Sequence, residues 1–247
     1  MAKIIGHRGA AGLALENTLE SIRIAREYGV DAIEFDVRRT KDNEVVLCHD
    51  SHLARVSIAD TVLAEISLED LMHVRLHDDT TVPHLREALI ACGDTPVIIE
   101  IKDAGMSHLV LNIIEAFPEK RITITSFIRE EIKAIRDARP DLPIFIAEHF
   151  KPIEIIAIAR NLHTNGITLN AWLMNPLTYI MARRYKLSLL IYTVNNAFIA
   201  RFLRILYPKI MICTDRPDKF KRRKLWKAKK RLQKTNTHLD SASARLK

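Results

Sequence analysis

A (β/α)8 barrel filling most of the chain is the fold class the sequence predicts. Short apolar runs alternate with helical patterns, and pairing each run with the pattern after it gives about eight units. A length of 247 residues suits one such barrel, and 48% hydrophobic residues supply a large core. The runs IIE, IFIA and LLIY are apolar on both faces, as strands are when helices cover a parallel sheet.

Taken in order, KIIG (3–6) reads as a buried strand, and residues 17–29 as a helix stopped by Gly29. Asn17 is expected to cap that helix, with Glu20 three residues on. Strands are expected over 31–37 and 44–49, and helical patterns over 67–74 and 82–92. Strand 95–102 leads to a helix at about 107–117, strand 121–127 to one over 129–138, and strand 142–148 to one at about 152–160. Runs 165–170, 187–195 and 208–215 complete the strands, with helices between them. No repeat of 20–50 residues is visible. The organisation expected is a barrel over 1–218 and a basic extension over 219–247.

The net charge of +8 belongs to that extension. Residues 219–247 hold 12 Lys/Arg and one acid, which leaves the rest of the chain at −3. Leu225, Trp226 and Leu232 are among the few large apolar residues of the run KFKRRKLWKAKKRLQK (219–234). A solvated terminal helix, contact with anionic lipid headgroups and non-specific contact with nucleic acid all fit this composition. No sequence-specific nucleic-acid binding is expected. Cys48, Cys92 and Cys213 are odd in number and widely spaced, which argues for reduced thiols. The stretch MAKIIGHRGA has no signal-peptide h-region, and no apolar run reaches the roughly 18 residues of a membrane span. The cytoplasm is the expected location.

The barrel expectation places chemistry. Active sites of such barrels form where strands end at the C-terminal face. Polar residues at those ends should therefore converge: His7 and Arg8, Glu34 and Asp36, His49, Glu100 and Lys102. Glu34 and Asp36 stand two apart in a strand, so their side chains point to one side as neighbouring like charges. Glu100 repeats the device on a second apolar strand. A cation between the carboxylates makes that arrangement tolerable, and hard oxygen ligands suit Mg²⁺ or Ca²⁺. The competing reading pairs Glu34 and Asp36 with Arg38 or Arg39. His7 and His49 are placed to move protons as acid and base, while Arg8 and Lys102 supply fixed positive charge for phosphate oxygens. Together these describe a site for phosphoryl transfer. Walker-type and dinucleotide glycine loops are missing, as is a G-x-S-x-G elbow. The remaining histidines, His149 among them, read as surface or loop residues.

The stretch GHRGAAGLALENTLESIRIAREYGVDAIEFDVRRTKDNEVVLCHD closely resembles the N-terminal signature of the glycerophosphodiester phosphodiesterase family. H-R-G, E-N-T, E-x-D, T-x-D and V-x-x-H-D occur in order, and IIEIK, TSF, YTVNN and TDRPD match later landmarks. The resemblance covers about residues 3–218. It implies a (β/α)8 barrel that uses a divalent cation to hydrolyse glycerophosphodiesters to an alcohol and glycerol 3-phosphate. It also implies His7 and His49 as the acid/base pair, Glu34, Asp36 and Glu100 as metal ligands, and Arg8 and Lys102 as phosphate holders. Glu16 and Asn17 would line or brace the site. Attack by the glycerol hydroxyl through a cyclic phosphate and direct attack by water both stay open. Tyr192 stands where the family often has Trp, so an aromatic contact with the substrate alcohol is expected from a smaller ring. Trp172 reads as rim packing. Segment 51–81 carries no long apolar lid, which suggests an open site for small diesters. A lysophospholipase D acting on lysolipids, and a non-catalytic barrel binding phosphates or membranes, are the alternatives.

Overall fold

The computed structural model describes residues 3–220. The basic run beyond Phe220, with Leu225, Trp226, Leu232 and His238, lies outside the described residues.

Nine strands and eight α-helices are described in the chain. Strand β1 (Lys3–Gly6) is followed by α1 (Leu19–Glu27), β2 (Ala32–Arg39) and β3 (Val45–Leu47). After the short helix α2 (Leu68–Leu71) come α3 (Leu85–Ala91), β4 (Val97–Ile101) and α4 (Ser107–Ile114). The series continues with β5 (Ile122–Ser126), α5 (Arg129–Ala138), β6 (Ile144–Glu148), α6 (Glu154–Asn161) and β7 (Gly166–Asn170). It ends with α7 (Pro176–Arg184), β8 (Ser188–Tyr192), α8 (Ala197–Leu206) and β9 (Met211–Thr214). Pairing runs β1-β9-β8-β7-β6-β5-β4-β2, and a parallel β1–β2 pairing closes the ring. The result is the expected eight-stranded parallel barrel. β3 stands apart from it, antiparallel to β2 with Val37 opposite Leu47.

Alternation along the strands explains why the runs are apolar on both faces. Ile33, Phe35 and Val37 of β2, with Ile99 and Ile101 of β4, join the large core beneath the helices. Inside the barrel a smaller plug forms from Ile5, Ala32, Ile98, Phe145, Leu190 and Cys213. Residues two further along these inward faces, Glu34 beyond Ala32 and Glu100 beyond Ile98, sit on top of that plug. An apolar floor therefore lies under charged residues, which keeps water away from them on one side.

Two expectations need correction. Thr18, not Asn17, caps α1: its side chain accepts from Ser21 N at 3.2 Å. Glu20 pairs with Arg23 instead of closing a capping box. In segment 51–81, Leu53, Val56, Leu63, Leu71 and Leu76 pack with Val46 into a satellite core. No helix of the described residues is long and apolar enough to cross a membrane.

Candidate active site

The site begins in a tight turn after β1. His7 N donates to Thr214 O at 2.9 Å, and Gly9 N donates to Glu34 O at 3.0 Å. Arg8 adopts a left-handed backbone at φ 48°, a sparsely populated state for a bulky residue. That conformation sets its N–H 2.9 Å from Glu34 Oε2. Gly9 has φ +84°, and a Cβ there would lie 2.3 Å from Ser21 Oγ and 2.6 Å from Ser21 C. Only glycine fits, which gives the H-R-G triplet a steric reason.

The acids meet as expected. Asp36 of β2 is in register with Glu100 of β4. Carboxylate oxygens of Glu34, Asp36 and Glu100 lie within 4.8 Å of one another, all three residues buried. The cations beside them are not Arg38 and Arg39. Arg38 pairs with Asp103 and donates to His49 O at 2.9 Å. Instead Arg8 lies 3.1 Å from Asp36, and Lys102 lies 3.0 Å from Asp36 and also pairs with Glu100.

These charges separate the acids. Burial opposes ionisation of Asp36, yet Lys102 and Arg8 outweigh it and pull its pKa down to about 2. Glu34 is pushed up to about 8 by burial and by the neighbouring Asp36 charge. Burial likewise raises Glu100, against the pull of Lys102. Glu34 is only 4% exposed, and its Oε1 has no hydrogen-bond partner. A crowded set of three carboxylates with an orphaned buried oxygen fits a hard divalent cation.

Both histidines line the same cavity, and each is held through Nδ1 by a carboxylate. His7 Nδ1 donates to Asp215 Oδ1 at 2.6 Å, and His49 Nδ1 to Asp50 Oδ1 at 2.7 Å. Their surroundings push them in opposite directions. Burial lowers His7, but the Asp215 bond and the Glu34 charge prevail and raise it above its ordinary value. Burial lowers His49, and Lys102 and Arg8 add to that against the opposing Asp36 charge. One imidazole is biased toward its proton and the other away from it.

A cavity of about 370 Å³ collects His7, Arg8, Glu34, Asp36, His49, Glu100, Lys102 and Tyr192. A larger cavity of about 850 Å³ lies at the opposite mouth, lined by residues such as Asp31, Pro96 and Arg121 that precede strands. None of its residues belongs to a metal-capable cluster found among the described residues. The smaller cavity holds the titratable cluster.

The other residues singled out in the sequence take these places. Glu16 does not line the cavity; it accepts from Arg8 at 2.7 Å and from Arg55 at 2.7 Å. Because Arg55 also binds Asp50, a chain of ion pairs links Arg8 to His49. Asn17 braces Asp36, donating to its Oδ2 at 3.0 Å and accepting from its N–H at 3.2 Å. Tyr192 lines the cavity with a buried hydroxyl that has no partner. Trp172 is 91% exposed at the cavity mouth, so the expected rim packing is wrong. His149 is exposed in the bend after β6, as expected, and its ring stacks on Phe127 at 3.9 Å where both line the cavity.

Asp215 and Asn195 carry weight that the sequence reading did not assign. Asn195 Nδ2 donates to Asp215 Oδ2 at 2.6 Å, and its Oδ1 accepts from Asp215 N at 2.9 Å and from Thr214 at 3.0 Å. The landmarks YTVNN and TDRPD contain these two residues; only the fold shows that they face each other.

Comparison with known proteins agrees with the geometry. A model described as the glycerophosphoryl diester phosphodiesterase family matches residues 7–219. An uncharacterised Bacillus subtilis protein, YqiK, is 32% identical over 147 residues, 53% of this chain and 60% of that protein. Human lysophospholipase D GDPD1 is 30% identical over 164 residues, 60% of this chain and 52% of that protein. The chain thus matches between about half and 60% of the length of these curated relatives. A solved structure of an Oleispira antarctica phosphodiesterase with its product sn-glycerol-3-phosphate has a TM-score of 0.83 at 20% identity. That match covers 89% of this chain and 95% of the other, and supports the fold.

Proposed function

Because the chain belongs to the glycerophosphoryl diester phosphodiesterase family, we propose that it hydrolyses glycerophosphodiesters to an alcohol and sn-glycerol 3-phosphate. The observation that carries this reading is the meeting of three carboxylates, two histidines and two cations in one cavity. Glu34, Asp36 and Glu100 would hold one divalent cation, Mg²⁺ or Ca²⁺. When bound, it supplies positive charge that offsets the developing charge on phosphate oxygens. Arg8 and Lys102, which pair with Asp36 and Glu100, would bind the remaining phosphate oxygens.

Proton transfer follows from the split between the imidazoles. Neutral His49 takes the proton of the attacking hydroxyl at Nε2, because Nδ1 already donates to Asp50. His7, kept protonated by Asp215, delivers its Nε2 proton to the leaving alcohol oxygen. The same two transfers serve attack by water or by the neighbouring glycerol hydroxyl; in the latter case the roles reverse for ring opening. Tyr192 stands at the substrate alcohol, and Glu16 positions Arg8. All three cysteines are free and buried, which fits a reducing compartment and a cytoplasmic enzyme.

A panel of glycerophosphodiesters assayed with Mg²⁺ and with Ca²⁺ tests substrate and ion together. Release of glycerol 3-phosphate is expected with one of these ions and is lost in EDTA. Full activity in EDTA overturns the cation assignment, and no release from any diester overturns the reaction.

One observation favours a second reading, action on lysolipids at an anionic membrane. Phe150, Trp172 and Phe198 are 82%, 91% and 85% exposed, and they follow β6, β7 and β8 around the catalytic mouth. Large exposed aromatics suit an interface where lipid headgroups meet acyl chains, and the composition of the run 219–234 suits anionic headgroups. Anionic vesicles are expected to co-sediment the full chain more strongly than a chain ending at residue 218 or one with all three aromatics changed to serine. Equal sedimentation of all three removes the membrane from the account.

A further inference from the structure

We propose that the floor of the catalytic cavity holds a second metal site, formed by His7, Glu34 and Cys213, at which a thiophilic cation such as Zn²⁺ binds and inhibits the enzyme. The proposal takes His7 and Glu34 in the roles assigned above. Its binding test is independent of them.

Cys213 points into the barrel from β9, in register with Ile5, and is 1% exposed. Its Sγ, a ring nitrogen of His7 and a carboxylate oxygen of Glu34 lie within 4.8 Å of one another. Zinc bonds to S, N and O are about 2.0–2.3 Å long, so donors around one ion stand roughly 4 Å apart or less. Sub-ångström movement of three side chains brings them into range. One sulfur, one imidazole and one carboxylate, with the cavity side open for a water, form an ordinary zinc donor set.

Two further features point to a ligand rather than to chance proximity. Glu34 Oε1 is buried without a hydrogen-bond partner. His7 already donates Nδ1–H to Asp215, which Asn195 holds in place. A carboxylate behind the imidazole is the arrangement that orients metal-ligating histidines and leaves Nε2 as the donor atom.

Glu34 belongs to both clusters. Hard Mg²⁺ or Ca²⁺ takes the three carboxylates and has little affinity for sulfur, whereas a soft cation is drawn to the thiolate. Binding releases the Cys213 thiol proton, the Nε2 proton of His7 and the proton Glu34 carries to solvent as the metal–ligand bonds form. A soft cation here displaces the Nε2 proton that His7 delivers and takes a ligand of the hard cation together. Because occupancy by one ion weakens the other, the antagonism is reciprocal. Cys48 and Cys92 belong to no metal-capable cluster among the described residues, so they act as internal controls.

The test adds Cd²⁺ to the metal-free full-length protein and follows the ultraviolet thiolate-to-cadmium charge-transfer band. About one equivalent of band is expected in the wild type and none in Cys213→Val or Cys213→Ser, and excess Mg²⁺ or Ca²⁺ should erode it. In the assay, each variant should need about 10- to 100-fold more Zn²⁺ for half inhibition. A band that persists in either folded variant, a wild type without one, or equal zinc sensitivity throughout overturns the proposal. If the band behaves as expected but no protein releases glycerol 3-phosphate, the metal site stands and the phosphodiesterase reading fails.

Discussion

Replacing His49 with alanine is expected to lower kcat/KM by roughly 10²- to 10⁴-fold, and His7→Ala by a similar factor, with the fold retained. Neither ring belongs to the apolar core, so circular dichroism should register no loss of structure. The pH profile separates their roles. His49 is held below its ordinary 6.5 and His7 above it. Activity should rise with pH as His49 loses its proton and fall at higher pH as His7 loses its own. His49→Ala is expected to flatten the acid limb and His7→Ala the alkaline one. Asp215→Asn should act through His7 alone. Removing the charge that raises His7 moves the alkaline limb to lower pH and lowers kcat, while KM changes little. An unmoved alkaline limb in Asp215→Asn would reduce Asp215 to a structural role.

The residues most legible in the sequence were those whose meaning is local. Glu34 and Asp36 share a face because strands repeat every two residues, and H-R-G announces a turn that only glycine completes. Barrel topology then carries His7, His49 and Glu100 to one rim without further information. What escaped depends on long-range closure. Asp215 meets His7 across 208 residues of chain, and nothing near either residue signals the partnership. Asn17 shows the opposite failure. Its spacing suits a helix cap, but the left-handed turn gives that task to Thr18 and frees Asn17 to hold Asp36. Trp172 was misjudged because apolar size predicts burial only on average.

Two conservative amide substitutions in the carboxylate cluster should move stability in opposite directions, measured by denaturant melts of the metal-free protein near pH 7.5. Asp36 is the counter-ion of both Arg8 and Lys102. Its folded pKa, about 2, lies below its ordinary 3.8, so its contribution is present above 3.8 and disappears as pH falls toward 2. Asp36→Asn leaves two buried cations undercompensated, and a loss of about 3–5 kcal/mol is expected. Glu34 has the reverse sign. Its folded pKa of about 8 lies above its ordinary 4.5, so the metal-free fold weakens through this group as pH rises across that window. Glu34→Gln removes the repulsion and should stabilise the metal-free protein by on the order of 1 kcal/mol or more. Divalent cation reverses the ranking, since the wild type gains stability that grows with pH between about 4.5 and 8 as the ion displaces the Glu34 proton, and Glu34→Gln gains little. Both variants should lose cation-stimulated hydrolysis. If Glu34→Gln instead weakens the metal-free fold as much as Asp36→Asn, then the fixed cations alone suffice to hold all three acids. No ion would then be needed between them.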